Sequence, residues 1–302
     1  MKKDQKVLLL LFLTCPISSS LAQVVNTAHF EVHSSNQSFS EQIVQILEEG
    51  YSKALGYFHK GLPEKVEVYV TDNSEEFDRI VGPYLPDWSL ACAIPDQYLI
   101  VLKSPDRHHY RKELAEVLQH ELAHIFAGDY TSHIRLPVWM NEGFAVWFSE
   151  KWGWSEKILV ARAVLTGSLL SLNQVDSLFE FQQSKAQLAY SLSFLAISHV
   201  EAQYGEGALR KVLDEYASRR NWDDAFLKTT GLNYAGFLAE FGQMVRQRYN
   251  WIAIFSDGLV LWTGLALLFV LLYFIKRNRS KKILKRWEKE EKGLAPRDSD
   301  FF

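Results

Sequence analysis

The sequence predicts an α+β fold, because its hydrophobic period changes once along the chain. Up to about residue 104, segments that alternate every second residue are interspersed with helical ones; from 105 to 250 the period is helical throughout. A third observation sets the organisation. No Pro/Gly/Ser-rich linker divides the two parts, so 23–104 reads as a small mixed α/β lobe sharing an interface with a helical lobe over 105–250.

Residues 28–33, AHFEVH, alternate as a strand. Ser40–His59 carries Ile43, Ile46, Leu47, Tyr51, Ala54, Leu55 and Phe58 at helical spacing. KVEVYVT (65–71) is an alternating strand, and Ser74–Val81 a short helix capped by Asn73 or Ser74. QYLIVLK (97–103) is another strand. Helices then follow over 111–127, from Pro137 to about 151, and over 155–166, 185–204, 206–219 and 233–249, with Gly205 and Gly231 at boundaries.

Charge divides the chain further. The total of −3 contains +2 in the first ten residues and +5 in 276–302, which leaves −10 between them. That acidic body gives no footprint for nucleic acid. Lys2, Lys3 and Lys6, the apolar Val7–Leu13 and the small residues up to Ala22 predict a signal peptide over 1–22. Its removal leaves Cys92 as the one cysteine, so no intrachain disulfide is expected. Gly258–Ile275 is eighteen residues without a charge; with the residues before it, 251–275 is expected to be a transmembrane helix. The basic tail 276–302 follows at once, which predicts a single-pass type I protein in the cell membrane. Its body is expected outside the cytoplasm and its C-terminus inside. The sequence sets no oligomeric state.

The chemistry concentrates in His120-Glu121-Leu122-Ala123-His124. Positions i and i+4 share a helix face, so both imidazoles reach one point, as Zn²⁺ requires, while Glu121 is turned about 100° away. Val117, Leu118, Ile125 and Phe126 make this a buried helix, where two histidines and a glutamate need partners. Eighteen positions on, Glu142 lies in Trp139-Met140-Asn141-Glu142-Gly143-Phe144-Ala145, on an equally apolar second helix. The loop Gly128–Pro137 is long enough to let that helix fold back and bring Glu142 to the imidazoles. Two histidines and one glutamate leave a fourth position open, the mark of a catalytic site.

HELAH followed by WMNEGFA resembles the gluzincin metallopeptidases, and most of all their peptidase MA-like group. The likeness extends in layout over about Val25–Asn250 and is specific over Leu118–Trp147. It implies one Zn²⁺ per chain on His120, His124 and Glu142, Glu121 as general base, and a peptide or protein substrate. Tyr190, in the setting AYSLS, resembles the residue that donates to the oxyanion. The strand Tyr98–Lys103 resembles the substrate-binding edge strand of that group. The Gly-x-Met-Glu-Asn element of the aminopeptidase branch is missing from the sequence, so the resemblance does not carry aminopeptidase activity. A zinc-fold binding module without turnover is the alternative reading; the retained Glu121 speaks against it. His108, His109 and His133 read as exposed loop residues and Cys92 as a small buried hydrophobe.

Overall fold

Asn36 starts the first helix by accepting a hydrogen bond from Phe39 N–H with its side chain (3.1 Å). The helix, α1, runs Gln37–Phe58 and stops where His59 turns left-handed (φ 54°). It buries Ile43, Leu47, Tyr51, Ala54 and Phe58, one stripe at helical spacing. In the computed structural model, which describes residues 23–82, 86, 89–104, 114–149, 152–256 and 258–294, this stripe packs on the sheet and on a later helix, α3. The expected signal peptide, the segment with His108 and His109, and the end of the basic tail lie outside the described residues.

Five strands form one mixed sheet: β1 (Gln23–Asn26), β2 (Phe30–Ser34), β3 (Val66–Thr71), β4 (Ala91–Ile94) and β5 (Leu99–Lys103), in the order β1-β2-β3-β5-β4. The three central strands are parallel; β1 and β4 run antiparallel at the two edges. The short helix α2 (Ser74–Val81) is capped by Asn73, whose side chain accepts from Glu76 N–H at 2.8 Å. Its Phe77 packs with Leu99 and Val101 of β5. Ile100 and Leu102 point to the other face and are fully buried as well.

That two-sided burial corrects one expectation. The strand over 98–103, read as the edge strand for substrate, lies inside the sheet between β3 and β4. A continuous apolar run such as Leu-Ile-Val-Leu marks a strand covered on both faces and paired on both sides. The edge is β4, joined to β5 by a 3-10 turn over Pro95–Gln97 and the left-handed Tyr98.

The helical part contains α3 (Leu114–Tyr130), α4 (Val138–Phe148), α5 (Trp154–Leu165), α6 (Gln183–Tyr204), α7 (Ala208–Arg219), α8 (Trp222–Thr230), α9 (Tyr234–Ser256) and α10 (Gly258–Leu294), with a 3-10 segment over Leu172–Glu180. The chain divides into two compact units. One comprises Met1–Trp152 and Leu170–Phe241; the other comprises Gly153–Leu169 and Gly242–Phe302. In the first, α3 packs on α1, β4 and α4, and α4 packs on α6. The expected membrane span over 251–275 is divided between the end of α9 and the start of α10. Among the described residues no helix is long and apolar enough to cross a membrane. The side chains of 251–261, the first half of that segment, lie outside the description.

Candidate metal centre

His120 and His124 stand one turn apart on α3, so the helix alone aims both rings to the same side. Their Nε2 atoms are 3.2 Å apart, with ring centroids at 4.8 Å and planes at 85°. Glu142 comes from α4, which begins directly after Pro137. Its Oε2 lies 3.5 Å from His120 Nε2 and 3.7 Å from His124 Nε2. The carboxylate side chain is only 7% exposed, against 17% and 11% for the two imidazoles.

Packing brings α3 and α4 to this distance. Phe58 of α1 stacks on Phe126 of α3 and meets Phe144 of α4 edge-on, joining the three helices through one aromatic cluster. From behind, Trp139 Nε1–H donates to Tyr234 Oη at 2.9 Å and its ring stacks on Phe237. Gly143 lets α6 come close: a Cβ there would stand 2.4 Å from the Ser193 carbonyl oxygen. Through that approach α6 delivers Tyr190, whose ring centroid lies 6.4 Å from that of His120.

The residues fit a zinc ion. Zinc–nitrogen bonds of about 2.0–2.1 Å in a tetrahedron set two ligand nitrogens about 3.3 Å apart, and the two Nε2 atoms stand 3.2 Å apart. Asn141 supplies an independent sign. Its Oδ1 lies 3.2 Å from His124 Nδ1 and can only accept, so Nδ1 carries the hydrogen and the Nε2 lone pair faces the centre. That lone pair points at a second imidazole nitrogen and at a buried carboxylate, which a shared cation satisfies together. The three ligand atoms all fall within 4.8 Å of one another.

Around the ligands the electrostatics favour neutral donors. Burial, reinforced by the charges of Glu142 and Glu121, holds the Tyr190 phenol well above its usual pKa, so it stays a hydrogen-bond donor. Burial also pushes the Cys92 thiol up to about 12, with the same two carboxylates adding to it, so Cys92 is a neutral thiol on β4. Glu121 is buried on α3 beside the ligands.

The structure therefore brings together His120, Glu121, His124, Glu142 and Tyr190, all five residues singled out in the sequence. Sequence reasoning missed Asn141, although its place directly before Glu142 was a signal, and it missed the role of Gly143. His133, read as an exposed loop residue that could approach the site, is exposed and does so. His133 lines a cleft of about 250 Å³ that ends on His124, Asn141 and Glu142, and its Nδ1 pairs with Asp96 Oδ1 at 2.7 Å.

No curated protein matches the chain. A family description does: that of the Peptidase MA superfamily, over residues 58–247, more than half of the chain and including both ligand helices and Tyr190. The His-His-Glu zinc site is intact within that match, and the chain belongs to the Peptidase MA superfamily as a metallopeptidase.

Proposed function

We propose that this chain is an exported, membrane-tethered zinc peptidase, with Glu121 as general base and Tyr190 as oxyanion donor. One observation carries the reading: two imidazole nitrogens 3.2 Å apart, completed by a buried carboxylate, make three protein ligands and leave one position for the reaction. When bound, zinc lowers the pKa of water to about 7 and polarises the scissile carbonyl. Glu121 takes the proton of the attacking water and hands it to the leaving amine. Tyr190 donates to the carbonyl oxygen as negative charge builds there. His120, His124 and Glu142 hold the metal, and Asn141 keeps His124 in the ligating tautomer.

What supports tethering is the sequence: three lysines before a short apolar run at one end, and eighteen uncharged residues followed by a basic tail at the other. From Trp262 to Ile275, eleven large apolar side chains stand exposed on α10, more than water tolerates in one stretch.

Zinc content and peptide cleavage, measured together on two variants, test the division of labour. Glu121→Gln should keep about one zinc per chain and lose at least ~10²-fold in rate, the low end for removing a general base. Glu142→Ala should lose the zinc itself. Parental cleavage by Glu121→Gln would remove the base assignment and favour a binding module without turnover.

A further inference from the structure

The cleft beside the metal ligands carries a charge that no described residue answers. Besides His124 and Glu142, its ionisable lining residues are Asp96, His133 and Arg135. Asp96 is taken by His133 at 2.7 Å. Arg135 has no hydrogen bond, ion pair or ring contact among the described residues, and it is exposed.

Its footing is fixed. The loop after α3 is closed by Ser132 N–H to Asp129 C=O (3.0 Å), His133 N–H to Gly128 C=O (2.8 Å) and Ile134 N–H to Thr131 C=O (3.2 Å). Ser132 and His133 both hold left-handed backbone, at φ 51° and 57°. At the root of the loop, a Cβ on Gly128 would stand 2.5 Å from Pro95 Cβ, so the loop is pressed against the β4–β5 turn. Tyr98 of that turn donates to Asp129 at 2.6 Å. Both walls of this end of the cleft are thus tied together, and Arg135 follows directly on the hydrogen-bonded loop.

Ile134, Leu136 and Val138 line the same cleft. An aliphatic stem ending in a carboxylate matches this lining: methylenes meet the apolar wall, and the planar guanidinium takes both carboxylate oxygens. A lysine or arginine side chain would meet a like charge there. The body carries −10 between its basic ends, so attraction of an anion is not a long-range property of the molecule. It acts only at contact distance, within the roughly 8 Å over which salt leaves a charge felt.

We propose that Arg135 is a specificity-determining residue: it receives a carboxylate of the peptide substrate, either an Asp or Glu side chain or the free C-terminus, in the cleft that ends on His124 and Glu142. This rests on the peptidase reading of the metal centre.

The test uses the zinc-loaded full-length chain in detergent and two matched peptide pairs. One pair differs by Glu against Gln at a single position, the other by a free against an amidated C-terminus. Cleavage is measured on the parent, and binding by fluorescence anisotropy on the Glu121→Gln background. In at least one pair the carboxylate member should show a KM and a Kd roughly tenfold lower, the low end for charge-assisted hydrogen bonding in a part-open cleft. Which pair responds names the source of the carboxylate. Arg135→Gln should erase the difference and Arg135→Glu should reverse it in favour of the uncharged member of the pair, while Lys211→Gln on α7 should keep it. Equal constants within both pairs, or a preference that survives Arg135→Gln, overturns the proposal. If the parent cleaves nothing, the peptidase reading fails by itself and the anisotropy comparison still decides on Arg135.

Discussion

Asn141 touches neither water nor substrate in the mechanism, yet it decides which nitrogen of His124 can ligate. An imidazole has two tautomers, and only the one with hydrogen on Nδ1 presents a lone pair at Nε2. The Asn141 Oδ1 contact at 3.2 Å selects that tautomer before any metal arrives. Asn141→Leu removes the acceptor at similar size and should weaken zinc binding by 10- to 100-fold, the usual cost of losing an outer hydrogen bond. Asn141→Asp keeps an acceptor at the same place and should retain zinc. Chelator competition on the purified chain measures both, and an unchanged zinc Kd in Asn141→Leu would assign His124 its tautomer by other means. The sequence displays His120, Glu121 and His124 because helix periodicity alone sets their relation. It conceals the role of Asn141 because its partner His124 comes from another helix, through packing that no local pattern encodes.

Elements bring those residues together, and one glycine governs the tightest contact. A Cβ at Gly143 would stand 2.4 Å and 2.7 Å from the Ser193 carbonyl oxygen and carbon, and 2.9 Å from Ile197 Cγ1. Two of these atoms are backbone, so a helix must move rather than a side chain. Gly143→Ala should cost about 1–3 kcal/mol of stability by overpacking, despite the better helix propensity of Ala. Because α4 carries Glu142 and α6 carries Tyr190, the same shift should lower the cleavage rate while zinc remains bound. Thermal melts with zinc content and rate on one preparation check this; a parental melting temperature would mean the helices are looser than they stand. At this scale the sequence was legible wherever an amphipathic stripe was long, as in α1, α6 and the alternating β3. The misses have physical causes. Two-sided burial hid the pairing of β5, and β1 and β4 are four-residue edge strands. The helix α8 buries only Ala225 and Phe226, too few positions to show a period.

For the whole molecule the question is how an acidic catalytic body is held at its place of work. The chain carries −10 between two basic ends, and each basic end adjoins an apolar run. On the proposed tethering, this distribution would order the molecule along the membrane normal. In that proposal the tail from Lys276 onward is the end expected to stay in, because lysines and arginines favour the cytoplasmic side. Gly258–Leu294 is one continuous helix, so the apolar segment passes into the basic one without a turn that could double back. An interfacial helix lying flat would instead carry its basic residues along one side of its whole length; here the first eighteen residues of α10 have none and the remaining nineteen carry nine. With a tag after Phe302, protease added to intact spheroplasts should digest the body and leave the tag on a small protected fragment. Carbonate or salt washing should not release the full chain, while truncation before Trp251 should make the body soluble. A body protected from protease would reverse the orientation, and release of the full chain by salt would mean that the basic tail, not the apolar segment, is what holds it to the membrane.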